Sequence, residues 1–199
     1  MKNKGSKNII TDRLELRAQT INEQKYLWEI LMIPEVNKYY LAVPTKFREN
    51  LKDWKIQEKF YTEEIKQAND LNVYKWSIFL KNTETCIGRL SCQERSSEDS
   101  NITDSSIRGV GWYIDPKYQH QGYATEAAKA MIDYMFKEVE INEIITGAAI
   151  INIASWKIME KLGFERQLQT DFVQYTYLDN LTEDYRYILT KEMYLKTII

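Results

Sequence analysis

A change of hydrophobic period between residues 107 and 150 narrows what this chain can fold into more than any other feature. Ile107 to Ile114 alternates, with Val110, Trp112 and Ile114 on one face and Gly109 and Gly111 on the other. Asp115-Pro116 ends that strand. Ala124, Ala127, Ala128, Met131, Ile132 and Met135 then recur at i, i+3, i+4, the spacing of one helical face. Glu143 to Ile150 returns to strand character around Gly147-Ala148-Ala149. A strand–helix–strand unit of this kind joins parallel neighbours through a right-handed crossover.

The flanks predict a largely antiparallel remainder. Leu14 and Leu16 alternate with Arg13, Glu15 and Arg17 as a half-buried strand. Thr20 and Glu23 carry a capping-box spacing ahead of a helix with Leu27, Ile30 and Leu31 on one face, which ends at Pro34. Phe47, Leu51, Trp54, Tyr61, Ile65 and Ala68 predict one long surface helix. Tyr74 to Leu80 and Cys86 to Cys92 form a hairpin across residues 82–85, and the polar stretch 95–106 is a flexible connection. Ser155, Ile158, Met159 and Leu162 mark a short helix stopped by Gly163 as a left-handed cap. Strands near Phe164–Tyr177 and Asp184–Lys196 follow, around a turn at Asp179-Asn180. The whole is a mixed α+β fold, one domain over 9–199 behind a flexible segment 1–8.

Composition excludes several function classes. The formal net charge is −2, which gives no general attraction to nucleic acid. No run of roughly 20 apolar residues spans a bilayer and no apolar leader precedes the domain, so a soluble, cytoplasmic protein is expected. Cys86 and Cys92, six residues apart on one strand, stand about 20 Å apart at roughly 3.3 Å per residue, beyond disulfide reach. With His120 the single histidine, a four-ligand zinc site cannot be assembled, and no metal is expected.

The chemistry gathers where the strand 107–114 hands over to the helix. A helix N-terminus offers unpaired N–H groups and a partial positive charge, a natural seat for phosphate. Gly122 lets backbone approach a ligand closely, and Ala124 keeps the first turn uncluttered. A structural loop would also carry such a glycine. Around it, Gly111-Trp112-Tyr113-Ile114-Asp115-Pro116 leads into Gln119-x-x-Gly122-x-Ala124-Thr125-Glu126. This resembles motif A of the GNAT acetyltransferases, Q/R-x-x-G-x-G/A. Asn152-Ile153-Ala154-Ser155, followed by Glu160-Lys161-Leu162-Gly163-Phe164, resembles their motif B. The opening Thr11-Asp12-Arg13-Leu14 is similar to the start of the branch that acetylates ribosomal-protein N-termini.

The resemblance implies two central parallel strands that splay apart to admit the pantetheine arm of acetyl-CoA, which would run along backbone near Tyr113 and Ile114. The pyrophosphate would rest on N–H groups from Gln121, Gly122, Tyr123 and Ala124, with Gln119 and Thr125 completing the cofactor loop. Small residues at Gly109, Gly111 and Gly147 to Ala149 suit such a gap, or a β-bulge without a ligand. Asn152 either N-caps the next helix or contacts the cofactor arm. Ser155 either bonds the carbonyl four residues back or, as the resemblance implies, protonates the leaving thiolate.

The Tyr that serves as acid in many relatives is replaced by Met159. For the general base the resemblance offers nothing: Gly109 and Gln167 stand where Glu is often found, leaving Glu94, Asp104, Asp171 or a water relay. The expected reaction is acetyl transfer from acetyl-CoA to a primary amine. A peptide N-terminus, or a small amine or antibiotic, is the acceptor, and the protein acts as a monomer or homodimer. Two other classes are a non-catalytic acyl-CoA sensor and an interaction module using the helix 47–68. The acceptor entrance falls to loop 34–46, the tip 95–106 and the turn near Asp179.

Overall fold

In the computed structural model, which describes residues 1–2, 4–40, 42, 47–67, 73–94 and 106–197, eight strands form one sheet. They are β1 (Ile9–Ile10), β2 (Leu14–Ala18), β3 (Tyr74–Leu80), β4 (Cys86–Glu94), β5 (Ile107–Ile114), β6 (Glu143–Ala149), β7 (Glu165–Val173) and β8 (Thr182–Thr190). Their spatial order is β1-β2-β3-β4-β5-β6-β8-β7, and every neighbouring pair is antiparallel except β5 with β6. The predicted strand–helix–strand unit is therefore present, with helix α5 (Tyr123–Tyr134) as its crossover.

The stripe on α5 buries as its spacing dictates. Ala127, Ala128, Met131 and, just past the helix, Met135 are at most 1% exposed, and Ala127, Met131 and Met135 share one core with Leu14 and Leu16 of β2, Trp76 and Ile78 of β3 and Leu90 of β4. Full burial of a side chain such as Leu or Met contributes roughly 1.5–3 kcal/mol. The body of α5 is thus anchored by its core face, and its amino end is free to serve another purpose.

The parallel pair is the sheet's weak joint. Ile107 pairs with Glu143 and Arg108 with Ile144, and there the ladder stops. Beyond it a side chain bridges the widening gap, as Thr146 Oγ1 donates to the Val110 carbonyl at 3.1 Å. Neither the β4–β5 nor the β6–β8 register shifts, so the glycines of β5 and β6 mark no bulge.

Three readings need correction. The helix expected over 47–68 is two, α3 (Arg48–Lys52) and α4 (Trp54–Gln67). Asp53 between them is extended and its carboxylate accepts from the Lys55 N–H at 2.9 Å, the local bond by which Asp starts a helix. Ala68 lies outside the described residues. The strand expected to reach Lys196 ends at Thr190 and gives way to α7 (Lys191–Thr197). Tertiary contact decides that switch: Tyr194 stacks on Phe136 at 4.7 Å and its hydroxyl donates to Asp133 at 2.8 Å.

Carbonyls of the amino-terminal segment accept hydrogen bonds from core side chains. The Gly5 carbonyl accepts from Tyr134 Oη at 2.7 Å and the Lys7 carbonyl from Trp76 Nε1 at 2.7 Å. The capping box is half formed: Glu23 accepts from the Thr20 N–H at 2.7 Å, while the first turn of α1 (Gln24–Leu31) takes no side-chain cap. Pro34 then opens the short helix α2 (Pro34–Asn37). Of the connection 95–106, residues 95–105 fall outside the described residues.

Candidate active site

Where β5 and β6 part, a cleft of about 1050 Å³ opens through the sheet. One wall is β5 and the loop 118–125; the other is β6 and helix α6 (Ile153–Lys161); Glu35 to Tyr40 cover part of the rim. Gln119, Gly122, Tyr123, Ala124, Thr125, Asn152 and Ser155, predicted from well-separated segments, all line it. Gln121 does not line the cleft; its side chain is exposed.

The amino end of α5 is built to present backbone. The Glu126 N–H makes the first bond of the turn, to the Gly122 carbonyl at 3.0 Å, so the N–H groups of Tyr123, Ala124 and Thr125 have no intrahelical acceptor. Gly122 enters with φ 82° and ψ 0°, the left-handed region that a side chain disfavours. His120 also has a positive φ, 61°, so the loop turns sharply twice. Gln119 closes it from within, its Nε2 donating to the Ile114 carbonyl at 2.9 Å.

Arg13, at the leading edge of β2, braces this loop. Its Nη1 donates to the Gln121 carbonyl at 2.9 Å, its Nε to Glu126 Oε2 at 2.7 Å, and its guanidinium lies 4.6 Å from the centre of the Tyr123 ring. Glu126 sits in the first turn of α5 and, alone, would repel an anion there. Burial pushes its carboxyl up, but the Thr11 hydroxyl, the Arg13 N–H and the guanidinium outweigh it and hold the group below the usual carboxylate range. The paired arginine cancels the charge and leaves the helix terminus electropositive.

Tyr113 and Ile114 play different parts. Asp115 N–H bonds back to Ile87 across the β4 ladder at 2.8 Å, so by the two-residue alternation of an antiparallel pair Tyr113 also turns its backbone to β4. Ile114 and Trp112 then turn theirs to the gap. The Tyr113 side chain is 5% exposed, donates to the Leu27 carbonyl at 3.2 Å and packs edge-on against Tyr40 at 4.9 Å. Tyr40 also covers Gly111, where an added Cβ would stand 3.7 Å from its ring. At Gly147 an added Cβ would come within 3.0 Å of the Tyr185 carbonyl, so cross-strand packing accounts for that glycine.

On the opposite wall, Asn152 occupies the N-cap position of α6, yet its side chain makes no capping bond; its carbonyl accepts from the Ser155 N–H at 3.1 Å. Ser155 is partly buried on the cleft wall, and its hydroxyl makes no hydrogen bond among the described residues, to the carbonyl four back or otherwise. Trp156 ties the turn down, its Nε1 donating to the Ile150 carbonyl at 2.9 Å, while Met159 buries the helix's inner face.

The carboxylates named in the sequence do not converge. Asp171 is held by Arg186 at 2.8 and 3.1 Å, Glu94 is at the rim 3.7 Å from Arg108, and Asp104 lies outside the described residues. Gln167 bonds the Glu165 carbonyl and does not line the cleft. Among the described residues no cluster of His, Cys, Asp and Glu forms a metal site, and no helix is long and apolar enough to cross a membrane.

The site is thus a mixed sheet parted at its parallel joint, with a helix terminus at the mouth of the gap. Residues 13–165 match the acetyltransferase (GNAT) domain family, and the chain belongs to it: it is an N-acetyltransferase. An uncharacterized N-acetyltransferase, YnaD of Bacillus subtilis (strain 168), is 27% identical over 165 residues, 80% of this chain and 84% of that one. Two solved structures share the fold. A spermidine N-acetyltransferase from Vibrio cholerae, in complex with CoA and spermine, superposes with a TM-score of 0.74 at 17% identity, covering 93% of this chain and 99% of that one. The ribosomal-protein-S5-alanine acetyltransferase from Vibrio fischeri gives a TM-score of 0.73 at 15% identity, covering 94% and 98%. GNAT acetyltransferases use acetyl-CoA.

Proposed function

We propose that this protein transfers the acetyl group of acetyl-CoA directly to the α-amino group of a peptide or protein. The unpaired N–H groups at the start of α5, opening onto a cleft that runs into the strand gap, carry that reading. The pyrophosphate rests on the backbone of Gly122, Tyr123 and Ala124, with Gln121, Gln119 and Thr125 shaping the loop, and Asn152 offers its uncapped amide to the arm. The amine attacks the thioester carbonyl, and the Ile114 N–H, turned to the gap, stabilises the developing oxyanion. Ser155, its hydroxyl uncommitted, gives a proton to the departing thiolate. Holding both reactants in one cleft supplies much of the rate, since the thioester is already activated.

The preference for an α-amine follows from its acidity. An α-amino group has an ordinary pKa of about 7.7–8.0, against about 10.4 for lysine, so at pH 7 its free-base fraction is greater by roughly two orders of magnitude. A site without a conventional carboxylate base gains most from the more acidic ammonium. One observation favours a small polyamine as the second reading: Glu35 and Glu94 at the rim outnumber Lys38. The test compares kcat/KM for a peptide with a free N-terminus, an N-blocked peptide with an internal lysine, and spermidine. The free N-terminus is expected to lead by at least about tenfold; equal values for the lysine peptide contradict the reading, and a spermidine lead replaces it with the second.

A further inference from the structure

The proton lost by the attacking amine needs a destination that neither Gly109 nor Gln167 provides. One cleft-lining side chain is coupled to a buried carboxylate. Tyr175, just past β7, is 5% exposed, forms part of the cleft wall and meets Tyr39 edge-on at 6.0 Å. Its hydroxyl donates to Asp184 Oδ2 at 2.6 Å. Asp184 stands on β8 between Ala149, the last residue of β6, and Asp171 of β7. It is 6% exposed, and its Oδ1 has no hydrogen-bond partner among the described residues.

A buried carboxylate with an idle oxygen is costly to maintain, and a core position on β8 would be more stable with an apolar residue. Its surroundings explain why it is basic. Burial pushes the Asp184 carboxyl up to about 6, the Tyr175 hydroxyl opposes this, and the Asp171 charge adds to it. Asp171 is itself partly neutralised by Arg186 of β8, Tyr39 lies beyond the Tyr175 ring, and β6 faces Asp184 through Ala149. The group is thus ionised at neutral pH, yet takes up a proton more readily than an ordinary carboxylate.

Resting on the amine-acetylation reading, we propose that Tyr175 accepts the proton of the acceptor amine and passes its own to Asp184. The ammonium N–H bond breaks toward Tyr175 Oη as the Tyr175 O–H proton moves to Asp184 Oδ2. Ammonium and carboxylate become amine and carboxylic acid, with the tyrosine unchanged, and the freed lone pair attacks the thioester. Asp184 returns its proton to solvent after the product leaves. Tyr175 touches the substrate; Asp184 acts through it.

The experiment is the pH dependence of kcat/KM for acetyl-CoA with an alanine-initiated peptide amide, in wild type, Tyr175→Phe, Asp184→Asn and Asp184→Glu. Wild type shows a limb near pH 6 that is distinct from ionisation of the amine at about 7.7–8.0. Tyr175→Phe and Asp184→Asn each lose roughly 10²-fold and that limb, with acetyl-CoA affinity within about twofold, and Asp184→Glu recovers part of the rate. Rates within about threefold of wild type, or a limb that persists in Asp184→Asn, overturn the proposal.

Carbon-13 NMR of the aspartate carboxyls decides the point without turnover, with Asp184→Asn assigning the signal. The Asp184 resonance titrates near pH 6 and moves higher in Tyr175→Phe, which removes a bond that stabilises the charge. Titration at or below about pH 4, the ordinary aspartate value, overturns the coupling. A wild type that acetylates no amine instead removes the functional reading, and the titration still reports on the pair.

Discussion

The two walls of the cleft are made of different materials. The β5–α5 wall offers backbone: N–H groups at the start of a helix, a left-handed glycine at 122 and a strand edge turned to the gap. It is anchored by the fully buried stripe of α5 and braced by Arg13 and Glu126. The opposite wall offers side chains: Asn152 at the N-cap of α6, Ser155 on α6, Tyr175 past β7, and Tyr39 against Tyr175. Of α6's residues only Met159 is buried, and Ile151 and Ile153 at its entry are 64% and 51% exposed. A wall of backbone recognises what every acyl-CoA shares, whereas a wall of surface side chains can change with the acceptor. One fold thereby holds its donor fixed while the acceptor varies.

Substitutions on the two walls should therefore separate kcat from cofactor affinity. The largest effect is expected on the side-chain wall. Ser155→Ala lowers kcat by roughly 10²–10⁴-fold if its hydroxyl is the acid, with acetyl-CoA affinity little changed. A kcat within about threefold of wild type assigns the proton to water and leaves Ser155 a packing role.

A smaller effect, of opposite character, is expected from Arg13→Ala. Removing its half-exposed ion pair and its contact with the Tyr123 ring costs on the order of 1–2 kcal/mol, and leaves the Glu126 charge beside the phosphate seat. Calorimetry should show acetyl-CoA binding weakened by about tenfold. Glu126→Gln in the same background should recover part of the loss, and no recovery would mean that the brace acts only through loop shape.

The smallest effect belongs to His120→Ala. His120 lines the cleft, but a backbone seat needs no side chain at that position. Affinity is expected to stay within about threefold, and a loss as large as that of Arg13→Ala would show that the cofactor wall also reads side chains.

Legibility in the sequence follows the same division. The α5 stripe, the alternation of β5 and Gly122 are local patterns dictated by period and by a backbone conformation, and each falls where the sequence puts it. The break at Asp53 was also locally encoded, by an aspartate that caps the next helix, but the apolar spacing of Leu51, Trp54 and Tyr61 runs across it. The α7 helix was not legible, because its form depends on Phe136 and Asp133 of a distant segment. The Tyr175–Asp184 pair is not legible for a similar reason: its bond joins the segment after β7 to β8, and neither residue carries a signal alone. Arg13 is legible only as a polar position of the first strand and as part of a resemblance, its three loop contacts being tertiary.

The central claim is that the backbone at the start of α5 binds the acyl-CoA pyrophosphate, and titrating acetyl-CoA calorimetrically into wild type and Gly122→Val tests it most directly. A valine at 122 would have to adopt a φ of 82°, with its Cβ 3.4 Å from Arg13 Nη2, at the point where phosphate must approach the N–H groups. The variant is expected to lose at least about 50-fold in affinity while circular dichroism stays that of wild type, since the buried face of α5 is untouched. Unchanged affinity in a folded Gly122→Val protein, or a wild type that binds no acetyl-CoA at millimolar ligand, would contradict the account.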